Sequence, residues 1–400
     1  MMKNTETKEQ VLLPGSTIGV LGGGQLGRML ALSGRAMGYR FITLDPTPDA
    51  PCGQVADEQL VAAYDNLEAA RELANKSDVI TYEFENVDAG VTELLMKETY
   101  VPQGSKLLYV TQHRLREKRA IEATGVKVAP YREIDSVAAL QDAVQAFGMP
   151  CVLKTAMGGY DGKGQWVIRS YEEIPEAYET LAKANTELVL EQFIHFDKEI
   201  SVIAARSPRG EVKVFAPAEN VHVDNILHLS IVPARVSHEI TKRAEELAIR
   251  IAEGLEIVGL IAVEMFLTPD GELFVNELAP RPHNSGHYTM EACHTSQFEQ
   301  HLRAICNLPL GSTELMTPVV MVNLLGEHVE PILHWMKLQA NKLADSADNK
   351  FNGIIPKIHL YGKHEAKHKR KMGHINLLTK DLDLALEWVE QMGIWSSRSK

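Results

Sequence analysis

Cysteine is scarce in this chain: there are four in 400 residues, Cys52, Cys151, Cys293 and Cys306. Their number and scatter exclude a disulfide framework and a Cys-rich zinc site, and they fit a thiol-reducing compartment. Basic charge is also in deficit, with 41 Lys and Arg against 53 Asp and Glu for a net charge of −12. A chain this acidic is not a general binder of nucleic acid or membrane surface, because neutralising phosphates requires cations. Small anionic ligands stay open, since a local basic cluster can oppose the global charge. No apolar run approaches the ~18–20 residues of a spanning helix. The first ten residues, MMKNTETKEQ, hold no apolar signal region. The expectation is a cytoplasmic protein that neither crosses a membrane nor binds nucleic acid. Internal repeats and low-complexity tracts are lacking too. What remains is 45% hydrophobic and 24% charged, the balance of a globular chain long enough for two or three domains.

Strands and helices alternate from the start. An apolar run over Thr17–Leu21 ends in Gly22-Gly23-Gly24-Gln25-Leu26-Gly27, and a helical pattern follows through Met29, Leu30 and Leu32. A second run, 41–44, ends at Asp45; residues 68–76 read as helix, and Val79–Tyr82 as a strand ending at Glu83-Phe84-Glu85. This alternation predicts a parallel sheet, whose ligands gather at the carboxyl ends of its strands. Gln25, Asp45, Glu83 and Glu85 fall at such ends. From about Thr111 the texture changes. A charged helix begins over 113–118, strands are predicted at 151–154 and 188–194, and β texture continues over 199–204. Ala244, Leu247, Ala248, Ile251 and Leu255 are spaced for one apolar helical face.

Two glycine loops compete for a phosphate. Gly22-x-Gly24-x-x-Gly27 between a strand and a helix fits the dinucleotide fingerprint, with Asp45 about where a ribose-binding acid would stand. Glycines there let the backbone approach a phosphate at a helix N-terminus. The same loop also fits another phosphate or substrate, or only a tight strand–helix turn. The second loop, 158–164, follows Lys154 and is free of side chains that would stop it folding over an anion. Lys154 itself either snorkels to water or, given that loop, meets a phosphate.

Thr268-Pro269-Asp270-Gly271 separates the β-rich runs 261–267 and 272–278, a strong hairpin signal. A two-residue loop at Asp270-Gly271 sets Glu264 opposite Glu277, with Cβ atoms roughly 4.5–5.5 Å apart; a four-residue loop makes them diagonal on the same face. Two like charges in apolar strands need an offset: solvent, a nearby Arg or Lys, or a cation. Magnesium suits them, being a hard ion bound by one or two carboxylates together with substrate phosphates. Asn276 alternates to the other face and needs a bend to join them. Next comes Arg281-Pro282-His283-Asn284-Ser285-Gly286-His287, either a polar loop or a set of donors for a small oxyanion, with an arginine fork suited to carboxylate or bicarbonate. The basic run 363–371 is either a solvated face or a bend that holds one phosphate monoester, and it lacks the interleaved aromatics of an RNA binder.

Taken in order, these parts resemble the ATP-grasp superfamily. The blocks GGGQLGRM, GGYDGKGQW, NELAPRPHNSGH and KMGH resemble, within it, the N5-carboxyaminoimidazole ribonucleotide synthetase family of purine biosynthesis, from about residue 14 to 390. The resemblance implies an α/β and α+β chain: an N-terminal preATP-grasp (Rossmann-like) domain over 1–112, a small lid domain over 113–190, and a large C-terminal ATP-grasp domain over 191–400 with the basic tail segment. It implies ATP-dependent carboxylation of aminoimidazole ribonucleotide with bicarbonate, through carboxyphosphate, with ATP and Mg2+ required. By motif, Arg114 and Lys154 would meet ATP phosphates, and Gly159, Tyr160, Asp161, Gly162, Lys163, Gly164 and Gln165 would form a lid. Glu191, Gln192, Phe193 and Ile194 would hold the adenine edge, Glu199 the ribose, and His222 a further part of the nucleotide. Glu264 and Glu277 would bind magnesium beside Asn276, and Arg281, His283 and Asn284 would cradle bicarbonate. Gln25, Glu83, Tyr160, Lys163, Lys363 and Arg370 would meet the ribonucleotide, with Lys363 also near the reacting groups. The family further implies a homodimer, and functional coupling to the mutase of the next step is open. Alternatives are another ATP-grasp ligase, such as a formate-dependent glycinamide ribonucleotide transformylase, and, more remotely, an NAD-dependent oxidoreductase. The chain departs from the family pattern at Lys163, where many relatives have arginine, which replaces a fork by a point charge. Its tail is also about one residue longer, with lysine where the first arginine is usual.

Overall fold

The apolar runs at the N-terminus become a four-stranded parallel sheet built from Thr17–Leu21, Arg40–Leu44, Glu58–Leu60 and Val79–Tyr82, with Thr17–Leu21 between Arg40–Leu44 and Val79–Tyr82. Both faces are covered, so these strands read as continuous apolar runs instead of alternating ones. Their carboxyl ends bring the first glycine loop, Asp45 and Glu83 to one edge of the sheet. The computed structural model describes residues 10–158, 163–183, 186–342 and 353–395.

A second, antiparallel sheet of four strands runs in the order Tyr131–Ile134, Leu188–Gln192, Cys151–Thr155, Gln165–Ile168. Helices Val137–Phe147 and Ile174–Leu181 seal its apolar side around Leu140, Val144 and Ile174. The strand expected over 188–194 stops at Gln192, and the expected domain limit at 190 falls inside it. The third sheet has nine strands, with Lys198–Arg206, Gly259–Leu267 and Leu273–Ala279 towards one edge and Val319–Leu325, Lys371–Leu378 and Ile355–Leu360 towards the other. Helix His238–Gly254 lies on it through Ala244, Ala248 and Ile251, while Leu247 and Leu255 pack at the rim of that core. All four cysteines are buried and unpaired. No helix among the described residues is long and apolar enough to cross a membrane.

The first sheet is joined to the rest by helix packing. Helix Gln25–Ala36 meets helix Gln297–Ile305, where Leu26, Met29 and Leu30 share a core with Phe298, Leu302 and Ile305. Gly34 makes this approach possible. A Cβ at that position would lie 2.4 Å from the Phe41 ring and 3.0 Å from Leu302 Cδ1. Gly34→Val is therefore expected to cost about 1–3 kcal/mol by overpacking, read as a lower midpoint in denaturant unfolding; an unchanged midpoint would show that the helices have room to move apart.

Candidate active site

The hairpin that carries the paired glutamates reaches the expected pairing by an unexpected route. Its loop has three residues, Pro269-Asp270-Gly271, closed by Thr268 N–H donating to Glu272 O at 2.9 Å. Gly271 takes the left-handed conformation that such a loop needs, at φ 85°. This sets Leu267 opposite Leu273 and Met265 opposite Val275, one residue out of the two-residue-loop register. A bulge then restores it, so Glu264 does pair with Glu277. Two residues, Asn276 and Glu277, now oppose one, and the bulge is the bend that Asn276 required. All three side chains line a cavity of ≈ 650 Å3.

Basic side chains surround that pair. His283 Nε2 lies 2.9 Å from Glu264 Oε1, and Arg114 Nη1 lies 3.5 Å from Glu277 Oε2. Burial opposes the charge on Glu264, but His283 outweighs it and holds the carboxyl below its ordinary range. Glu277 goes the other way. Enclosure by the cavity walls, and then the neighbouring Glu264 charge, push it up. Among the described residues no three or more His, Cys, Asp and Glu side chains gather into a metal cage. Two carboxylates and an amide oxygen are an all-oxygen donor set, which fits a hard cation that takes its other ligands from water and phosphate.

Helix Arg114–Ala123 aims Arg114, Glu117 and Lys118 at this region because positions three and four apart share a face, and Lys154 joins them from strand Cys151–Thr155. Arg114 reaches Glu277. Lys118 lies 3.3 Å from Glu191 Oε1, and Lys154 donates to Glu191 Oε2 at 2.9 Å. The Glu191 side chain is thus held by two lysines on the cavity wall. Burial resists its ionisation, yet Lys154 and then Lys118 hold it down to about 2. Lys163, Gln165, Gln192, Phe193, Ile194, Glu199 and His222 line the same cavity, and His222 Nδ1 sits 2.8 Å from Glu199 Oε2. Gly164 lies beside them, its carbonyl accepting from Thr155 N–H at 2.8 Å. Gly159, Tyr160, Asp161 and Gly162 lie outside the described residues.

The loop after the hairpin faces the glutamates. Arg281 Nε and Nη2 donate to the two Glu85 oxygens at 2.5 and 3.2 Å. The fork expected to receive a small carboxylate therefore already holds one from the protein. Asn284 differs: neither atom of its buried amide meets a partner among the described residues, although it lines the cavity. Buried amides are nearly always bonded, so this one points to a ligand.

The first glycine loop is filled from within. Gly23 N–H donates to Asp45 Oδ2 at 2.8 Å, Gly27 N–H to Glu83 Oε2 at 2.6 Å, and Gly24 N–H to Glu83 Oε1. These are the donors a dinucleotide pyrophosphate would use, which removes the oxidoreductase reading. The same bonds use the Glu83 side chain to close the loop. Gln25 starts the helix there, outside the cavity lining. Lys363 donates to Lys371 O at 2.7 Å, and burial followed by the Arg370 charge pushes it down to about 8. Arg370 is exposed, donates to Glu365 O at 3.0 Å and does not line the cavity.

Sequence reasoning missed several groups. Lys371 lines the cavity and links it to Lys363. Phe196 and Phe266 stack at 4.6 Å on its wall; Phe266 was legible, since it stands two residues beyond Glu264 on one strand face. Glu117 is buried and accepts Leu278 N–H at 2.9 Å. Burial, then the Glu277 charge, push its carboxyl up to about 8. Between the ordinary glutamate range and 8 the native state binds more protons at Glu117 than the unfolded chain, so the stability this group contributes falls as pH rises through that window. Glu117→Gln is expected to flatten the decline in melting temperature between about pH 5 and about pH 8.5; a slope equal to wild type would place the titration elsewhere.

Comparison with known proteins covers nearly the whole chain. Residues 15–112 match the ribonucleotide synthetase preATP-grasp domain, 119–298 the ATP-grasp domain, and 319–387 the phosphoribosylaminoimidazole carboxylase C-terminal domain. The chain is 48% identical over 391 residues to the N5-carboxyaminoimidazole ribonucleotide synthase of Bacillus subtilis, covering 98% of each protein. It is 43% identical over 364 residues to that of Brucella melitensis, covering 91% of this chain and 96% of the relative. The solved ADP complex of an N5-carboxyaminoimidazole ribonucleotide synthetase superposes with a TM-score of 0.90 at 53% identity, over 98% of this chain and 100% of the other. The Aspergillus clavatus enzyme, solved with ADP and 5-aminoimidazole ribonucleotide, superposes with a TM-score of 0.83 at 34% identity, over 94% and 97% of the two chains. With likeness of this degree from end to end of both chains, the protein belongs to the N5-carboxyaminoimidazole ribonucleotide synthase family of ATP-grasp ligases.

Proposed function

We propose that the chain carries out its family's reaction, the ATP-dependent joining of bicarbonate to the exocyclic amine of 5-aminoimidazole ribonucleotide, in the cavity between the second and third sheets. The observation that carries this reading is one wall of that cavity: the Glu264–Glu277 pair, bulged Asn276, and the Arg281–His283–Asn284 segment directly after them. Nucleotide and oxyanion chemistry thereby share a floor.

ATP would lie with its base against the Phe196–Phe266 wall and the 191–194 segment, its ribose by Glu199 and His222, and its phosphates towards Lys154 and Arg114. Glu264 and Glu277 would hold Mg2+ with Asn276 beside them. When bound, the ion neutralises phosphate charge and draws electron density from the phosphoryl oxygens. A bicarbonate oxygen, cradled by Asn284, His283 and Arg281, attacks the γ-phosphorus, and the bond to the ADP oxygen breaks, leaving carboxyphosphate. Fixed cations in a dry cavity supply most of the stabilisation for such a transfer. The ribonucleotide amine then attacks the carboxyl carbon of carboxyphosphate, phosphate leaves, and the amine gives up a proton. Lys363, whose ammonium is pushed down to about 8, is the group assigned to that proton, in the fraction of enzyme whose Nζ is neutral. Enclosure matters because carboxyphosphate hydrolyses in water. The basic bend with Lys363 and Arg370, Gln25 and the 159–165 lid belong to the ribonucleotide side of this proposal. A homodimer in the cytoplasm belongs to the same reading.

Two experiments test it. ADP formation from Mg–ATP and bicarbonate should rise strongly with 5-aminoimidazole ribonucleotide, and labelled bicarbonate should appear in an acid-labile adduct; turnover with glycinamide ribonucleotide and formate instead would overturn the acceptor. Glu277→Gln and Arg281→Ala should each lower turnover by at least about a hundredfold, but only the first should markedly weaken Mg–ATP binding in a calorimetric titration. Near-wild-type carboxylation by Arg281→Ala would remove Arg281 from the oxyanion site.

A further inference from the structure

Glu85 has no place in the reaction just described, yet it makes a short, two-pronged contact with a residue that does. It follows strand Val79–Tyr82 of the first sheet and lies 196 positions from Arg281 in the chain. Its backbone is pinned as well: Gln112 Nε2 donates to Glu85 O at 2.7 Å and to Val87 O at 3.0 Å. The Glu85 carboxylate is thus a fixed object presented to Arg281, with both side chains partly enclosed at the cavity edge, 33% and 20% exposed.

Arg281 stands among three carboxylates. Glu85 takes its Nε and Nη2, and the charges of Glu264 and Glu277 also act on it. Guanidinium forks seek bidentate carboxylates. Without Glu85 the Arg281 fork would be left facing the Glu264 and Glu277 charges in the same cavity, and an arginine lodged there would compete with a cation for them. With Glu85 present the fork is engaged, and among the described residues Nη1 makes a long contact of 3.3 Å to Pro282 O, which leaves that edge for an incoming anion.

We propose that Glu85 is a positioning residue that holds Arg281 clear of the Glu264–Glu277 pair and aims its remaining edge at the bicarbonate site. A strand end of the first sheet thereby completes an oxyanion site that otherwise belongs to the third. The inference rests on the reaction proposed above.

The test compares wild type, Glu85→Gln and the double variant Glu85→Gln/Arg281→Met in full-length protein. Wild type is assayed first, and absence of bicarbonate-dependent ADP formation there would defeat the proposed reaction, not the role of Glu85. Given wild-type turnover, Glu85→Gln is expected to raise the KM for bicarbonate about tenfold at saturating Mg–ATP, the loss of one charge-assisted contact. Calorimetry should show Mg–ADP binding to Glu85→Gln weakened about fivefold as Arg281 moves onto the carboxylate pair. Removing the displaced cation should then restore Mg–ADP affinity in the double variant to within about twofold of wild type, as expected of two coupled neighbours. Wild-type bicarbonate KM and Mg–ADP affinity in Glu85→Gln would overturn the proposal. So would a double variant that binds Mg–ADP as weakly as Glu85→Gln, because damage to the fold is not relieved by deleting a cation.

Discussion

Two carboxylates forced side by side on neighbouring strands organise the centre of this protein. Like charges opposite each other in a hairpin repel, so Glu264 and Glu277 stay together only with positive charge around them. Arg114 answers that requirement directly with Lys154 behind it, and the His283 ring sits against Glu264. These groups come from three parts of the chain: a helix, the end of a small-sheet strand, and the loop after the hairpin. Satisfying one electrostatic demand thus draws together the walls of a cavity suited to a polyanionic nucleotide and a hard metal ion.

The same logic, with the sign reversed, shapes the first sheet. Its glycine loop exposes backbone N–H groups at a helix N-terminus, a ready site for an anion. Here the side-chain oxygens of Glu83 and Asp45 take those N–H groups. A fingerprint that serves cofactor binding elsewhere becomes an internal clamp, and the strand ends are freed for other work. One of them presents Glu85 to Arg281.

The two halves of the nucleotide cavity differ in how they treat charge. Around Glu191, two lysines and a carboxylate are buried and paired, an arrangement that holds geometry more than it adds stability. Around Asn284, the amide atoms are buried and meet no hydrogen-bond partner among the described residues. A protein tolerates such atoms where a ligand completes them, which separates the rigid wall of the cavity from its working face.

Much of this was legible in the residues alone. The parallel sheet, the hairpin and the same-face placement of Glu264 and Glu277 follow from apolar periodicity and turn chemistry, because both act over a few residues. The register of the pair was reached through two departures that cancel, a loop one residue longer and a bulge at Asn276; neither is encoded by alternation, since a bulge is set by what the strand must meet across the sheet. Lys118, Glu117 and Phe196 were hidden for another reason. A charged helix reads as solvated until something packs on it, and only the fold decides which of its faces is buried. The sequence by itself determined which chemistry the chain can hold, through the types and local spacing of its carboxylates, glycines and arginine. The tertiary structure alone decided which of these groups face a ligand and which face one another, because a carboxylate near an N–H or a guanidinium pairs with whichever the packing brings within about 3 Å. Glu83 and Glu191 met partners within the protein in that way, while the Asn284 amide meets none among the described residues.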